Sequence, residues 1–227
     1  MYTLYVGNKN YSSWSLRPWL VIKHLNVPFE EVVTPFSEGS NWDDFRRFSP
    51  TGLVPCLVDG EQVVWDSLGI TEYLADRHDG VWPSDAKAKA WARCATAEMH
   101  AGFNALRDIC SMNIGVRIKL NEVPARLQKD IDRIDELWQQ GLKEFSGPFL
   151  AGDAFTAVDA FFAPVVYRIR TFGLKLSDDV MAYVDRMLNH PLMLEWEKAG
   201  LAESWREPGH EEDALKYGVL ISDERHG

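Results

Sequence analysis

Cysteine is scarce in this chain. Its 227 residues hold three, Cys56, Cys94 and Cys110, each among apolar neighbours and none at paired spacing. That argues against a disulfide framework or a CxxC metal site and fits a reducing compartment. The six histidines are scattered without HxxxH or HExxH spacing, so no metal is expected. No run approaches the roughly 18 apolar residues of a membrane span. Met1 leads straight into a strand-like run, with no basic segment ahead of an apolar one. No membrane partner is therefore expected, and the cytoplasm is the expected location. Positive charge is also short: 24 Lys and Arg oppose 34 Asp and Glu, for a net charge of -10. With no basic stripe, nucleic acid is not an expected partner.

What is present divides into two patterns. Tyr2–Val6 and Phe29–Val33 read as strands, separated by helical spacing from about Ser15 to Leu25. A short irregular helix is expected over Asn41–Phe48. Leu53-Val54-Pro55 then enters a strand, Asp59-Gly60 marks a tight hairpin, and Trp65-Asp66-Ser67 closes its second strand. Helical spacing resumes from Ser67 to about Arg77. This order makes an α/β unit over 1–78. A linker with Gly80 and Pro83 spans 79–85, and 86–203 is almost wholly helical in pattern. One long helix is expected from Ala86 to Cys110 and a second from Leu127 to Phe145, packed antiparallel. Thr156 and Asp159 form a Thr-x-x-Asp capping box for a third. Asp178–Leu188 and Leu192–Ala202 are shorter helices. The polar tail, 204–227, is expected to be partly irregular. Trp65, Trp91, Trp138 and Trp196 fall on apolar stripes and are read as core.

Three groups could carry chemistry. Val54 offers a main-chain edge suited to an extended peptide, and Asp66-Ser67 opens a helix, whose N–H groups favour a carboxylate. Ser12, Ser13 and Ser15 precede or open the first helix. Pro18 lacks an N–H and is comfortable only in a first turn, which favours Ser15 as N-cap and leaves Ser12 and Ser13 in the loop. Hydroxyls there stand near the positive end of the helix dipole, where a thiolate would be stabilised. Plain capping accounts for the same serines. On the long fourth helix, His100, Asn104, Arg107, Ser111 and Met112 recur at near-turn spacing and read either as a solvated face or as a pocket wall.

The α/β unit, the Val-Pro before a hairpin, the Asp-Ser helix start, the helical remainder and the Gly152-Asp153…Thr156-x-x-Asp159 box together resemble a cytosolic glutathione S-transferase over about residues 1–203. Ser12-Ser13-Trp14-Ser15-Leu16-Arg17 is similar to the Ser-Ser-Cys-Ser-x-Arg run of the zeta class, whose members include maleylacetoacetate isomerases; Trp14 replaces the cysteine. The resemblance implies a thioredoxin-like N-terminal domain with Pro55 cis, followed by an all-helical C-terminal domain. It implies glutathione as cosubstrate, its thiol activated by Ser12 or neighbouring Ser13. Val54 and Pro55 would hold its backbone, with Asp66 and Ser67 on its γ-glutamyl group. A small electrophile would lie between the domains, with Trp14 and Phe103 as aromatic walls and Arg107 or Arg117 attracting an acidic substrate. A homodimer is implied as well. A glutathione-dependent peroxidase or reductase, or a non-catalytic binding protein on the same fold, are the alternatives. The usual cation for the glycyl carboxylate has no counterpart before Arg46 and Arg47.

Overall fold

Strands β1 (Tyr2–Val6) and β2 (Phe29–Val33) form where alternation predicts them, with helix α1 (Ser13–His24) between. The one-turn helix α2 (Trp42–Phe45), the hairpin β3 (Cys56–Asp59) and β4 (Gln62–Trp65), and helix α3 (Ser67–Ala75) follow. The computed structural model describes residues 1–225. The sheet order is β2-β1-β3-β4, with β1 parallel to β2 and the other neighbours antiparallel, the thioredoxin-like arrangement. In the hairpin Asp59 pairs with Gln62, so the two-residue loop is Gly60-Glu61. Gly60, at φ +60°, takes the left-handed corner that other residues avoid.

The remainder runs α4 (Ala86–Ala101), α5 (Asn104–Ile109), β5 (Val116–Leu120), α6 (Ala125–Phe145), α7 (Ala157–Phe172), α8 (Asp178–Leu188), α9 (Pro191–Leu201), α10 (Pro208–Leu215) and β6 (Gly218–Asp223). Helix α7 is apolar on all sides and buries every residue but Arg170. Such a helix must be enclosed, and it packs against α1, α4 and α8. The capping box forms as read from the sequence, and Trp138 and Trp196 are fully buried.

One expectation fails here. The helix anticipated from Ala86 to Cys110 breaks at Gly102, and Phe103 adopts a left-handed conformation (φ 57°, ψ 43°) before α5 begins. The break frees carbonyls at the end of α4, and Arg107 donates to those of Gly102 and Met99. The tail is partly irregular as expected, over 203–207, and ordered beyond it. It forms α10 and then β6, which pairs antiparallel with β5 as a ribbon beside the helices. Among the described residues no helix is long and apolar enough to cross a membrane, and no group of His, Cys, Asp or Glu could hold a metal ion.

Candidate functional site

Helix α1 begins one turn earlier than its proline suggests. Ser12, not Ser15, is the N-cap: its Oγ accepts from the Ser15 N–H at 3.4 Å. Pro18 therefore sits inside the helix and withholds the N–H that the Trp14 carbonyl would otherwise accept. The Ser12 and Ser15 hydroxyls lie 2.7 Å apart, with Ser12 donating, and Ser15 Oγ also accepts from the Gly7 N–H. The Ser13 hydroxyl makes no hydrogen bond among the described residues.

The loop before this cap is gripped from the helical domain. Glu203 accepts from the N–H groups of Lys9 (2.6 Å) and Asn10 (3.3 Å), and Trp196 donates to the Lys9 carbonyl at 2.9 Å. Asn10 exchanges hydrogen bonds with Asn113, Ile114 and Gly115. Tyr11 donates to Glu211 of α10, which Arg225 also engages. Main-chain groups of Lys9 and Asn10 are thus paired with the helical domain, and freeing the loop would leave them unsatisfied.

A cavity of about 510 Å³ opens beside the same helix start, lined by Trp14, Thr51, Leu53, Val54, Pro55, Trp65, Asp66 and Ser67. The Val54–Pro55 bond is cis. Val54 precedes β3, and its N–H and C=O take no main-chain partner among the described residues. Asp66, at φ 68°, caps α3 by accepting from Leu68 N (2.7 Å) and Gly69 N (3.4 Å). Its second oxygen lies 3.6 Å from His100 Nε2, a contact from α4 across the domain boundary. Burial, with Arg17 and Arg107 nearby, lowers the His100 pKa against the pull of Asp66. Larger clefts, about 610 and 560 Å³, lie near the linker and beside β5. Neither is lined by the start of α1 or of α3.

The cavity thus unites Trp14, Val54, Pro55, Asp66 and Ser67, but not the other candidates. Ser12 and Ser13 lie at the adjoining helix start, outside its lining. Phe103 is buried in the helical core against Phe162, not a pocket wall, because the break before α5 turns it inward. Arg107 spends its donors on the end of α4, although its guanidinium still lies 4.8 Å from the Trp14 ring centre. Arg117 is not an attractor here either: it pairs with Glu224 at 2.7 Å on the ribbon. Arg46 is held by the Pro50 carbonyl and Arg47 by Asp44. Trp65, read as core, is 46% exposed and forms the cavity rim, because β4 is a sheet edge. Its stripe spacing could not reveal that. Two arginines that the sequence reading named without giving them a site role, Arg17 and Arg168, are both buried.

Comparison with known proteins agrees with this arrangement. The family model "Glutathione S-transferase, N-terminal domain" matches residues 11–77, and "Glutathione S-transferase, C-terminal domain" matches 120–199. A zeta-class glutathione S-transferase from Euphorbia esula is 27% identical over 160 residues, covering 69% of this chain and 71% of the relative. A probable maleylacetoacetate isomerase from Caenorhabditis elegans is 28% identical over 182 residues, covering 77% and 81%. Among solved structures, a glutathione transferase homolog from Burkholderia with bound glutathione superposes with TM-score 0.67 at 22% identity, covering 88% of this chain and 97% of that one. Both halves of the sequence, the mixed sheet with its cis-proline and the helical domain built on α7 lead to one assignment: the chain belongs to the glutathione S-transferase family.

Proposed function

We propose that the protein is a serine-type glutathione transferase, binding glutathione in the 510 Å³ cavity and presenting its thiolate at the start of α1. The observation that carries this reading is the convergence of the unpaired Val54 edge and the α3 start on one cavity. A γ-glutamyl peptide offers the matching groups: an extended backbone for Val54, a carboxylate for the Ser67 hydroxyl and N–H, and an ammonium for Asp66. Its sulfur then reaches toward the serines of α1. Lowering the thiol pKa by about two units needs ~2.7 kcal/mol, within reach of one hydroxyl donor plus a helix terminus.

Ser12 is the proposed donor, and the hydroxyl pair explains how it is freed. Ser15 Oγ already accepts from Gly7 N, so a rotation that makes Ser15 the donor releases the Ser12 proton toward the sulfur. The thiolate, held and desolvated beside Trp14, attacks a small electrophile between the domains; conjugation and isomerisation share this step. A homodimer belongs to the same reading.

Alanine variants test it through the ultraviolet absorbance of the bound thiolate. Ser12→Ala is expected to keep glutathione binding while raising the bound thiol's pKa and cutting kcat on the order of 10²-fold. Ser13→Ala should cost less than tenfold. The reverse ranking would move the donor to Ser13, and no saturable glutathione binding by the unaltered protein would overturn the function itself.

A further inference from the structure

His100, in the last turn of α4, reaches the site from the helical domain. Its Nε2 lies 3.6 Å from Asp66 Oδ2, just beyond hydrogen-bond reach, while Oδ1 of the same carboxylate is spent on the α3 cap. The ring stands edge-on to Trp14, with 5.3 Å between centres, and 6.4 Å from the ring of Phe161. Its other nitrogen, Nδ1, is buried and has no hydrogen-bond partner among the described residues. An imidazolium carries two N–H groups, so a proton on this ring would leave one of them without an acceptor. The charged groups around the ring are Asp66 from α3, Arg17 from α1 and Arg107 from α5, two cations against one carboxylate. Arg107 also occupies the carbonyl end of α4, which would otherwise favour a charged histidine in the last turn. Burial and the two arginines hold the His100 pKa below its ordinary value of 6.5, so the ring is neutral at neutral pH.

We propose that His100 is a proton-operated gate on Asp66, closing the cavity to the ligand's ammonium group in acid. The neutral ring leaves Asp66 Oδ2 free to receive that ammonium. When the ring gains a proton from solvent, the imidazolium takes the oxygen and repels the second cation. Ammonium and proton therefore compete for one carboxylate: acid expels the ligand, and the ligand expels the proton. Asp66 is half-exposed, so water screens the contact and keeps the competition moderate. This proposal rests on the reading of Asp66 as the partner of the γ-glutamyl ammonium.

S-methylglutathione is the titrant of choice, because its sulfur cannot ionise and its amine and carboxylates keep their charge between about pH 5 and about pH 7.5. Calorimetry on the unaltered protein should show its affinity falling roughly three- to tenfold from the upper to the lower end of that range. His100→Gln, which cannot gain a charge, should keep a nearly constant affinity. The second titrant is the S-methyl peptide with glutaryl in place of γ-glutamyl, which lacks only the amino group. For it the unaltered protein should show no loss toward acid beyond that of the variant. In NMR titrations of the unaltered protein, the His100 ring should take its proton at a lower pH with S-methylglutathione bound than without it. That measurement carries the test if the glutamine variant fails to fold. If both proteins lose affinity toward acid by the same factor, or the ring titrates at the same pH with and without ligand, the proposal falls, while the glutathione site stands. An equal acid loss for the peptide without the amino group overturns it too, since His100 would then act on something other than the ammonium. If the unaltered protein binds neither peptide at any pH, the glutathione reading falls first and this one with it.

Discussion

Replacing Asp159 by alanine is expected to lower stability by about 3–5 kcal/mol, the largest single effect we foresee. The carboxylate is fully buried and satisfies four donors: Leu150 N–H at 3.0 Å, Tyr183 hydroxyl at 3.0 Å, Thr156 N–H at 2.9 Å and Thr156 Oγ1 at 3.4 Å. It therefore joins the loop before α7, the α7 start and α8 at one point. Alanine orphans buried donors, and each costs about 1–3 kcal/mol when nothing replaces the acceptor. Thermal unfolding should shift down by roughly 10 °C for a chain of this size. A loss under ~1 kcal/mol would mean that Asp159 only caps.

The same carboxyl has a pH signature. Burial pushes its pKa up to about 6, against the opposing pull of its donors. An unfolded aspartate titrates near ~3.9, so the folded state binds the proton more tightly. This group's contribution to stability is therefore complete below about pH 4 and lost as pH rises through about 6. Asp159→Asn, less stable overall, should lack that slope in denaturant titrations across the window.

Glu203→Ala is the second large effect, and it separates chemistry from binding. Glu203 receives the two N–H groups of Lys9 and Asn10 and is itself buried, with its pKa raised chiefly by burial. Removal leaves both amides unpaired three and two residues before Ser12, at a stability cost of about 2–4 kcal/mol. The Ser12 hydroxyl then loses its fixed position, and kcat should fall by roughly 10²-fold. Glutathione affinity should fall far less, because Val54 and Ser67 are held by β3 and α3 and not by this loop. Glu203→Gln, which keeps one good acceptor, should lie between the two. Parallel steady-state kinetics and calorimetry decide the matter. Equal losses in kcat and affinity would show that the loop positions the whole site and not the serine.

Much of the frame is legible because its causes are local. Alternating Tyr2–Val6 and Phe29–Val33 announce β1 and β2, and Thr156 with Asp159 announces the α7 start. The features that stay hidden depend on distant partners. Trp65 has a core-like pattern, and only the sheet order leaves it on an edge. Val219 and Leu220 look like a stray apolar patch in a polar tail until β5, about a hundred residues earlier, is seen to pair with them, with Ile221 at the irregularity beside them. The helix break at Phe103 has one local hint, Gly102, which helical spacing overrode. Pro18 misled more directly. Its rule against helix interiors placed the cap at Ser15, but the enclosure of α1 tolerates a missing hydrogen bond there. The serines, Val54, Asp66 and Ser67 could be nominated from the chain alone. The burial of Arg17 could not be read there, since a lone cation between apolar neighbours normally leads its charge out to water.

The fixings of the loop at residues 8–11 bear on how the molecule is made. At about 5–20 residues per second, Ser12 is translated some ten to forty seconds before Glu203 and Glu211. Until then the segment ahead of it has no acceptors for its amides and no stack for Tyr11, whose ring lies 5.0 Å from that of His210. Under the serine mechanism proposed above, the thiol's donor is therefore fixed only once nearly the whole chain has been made, however early the sheet forms.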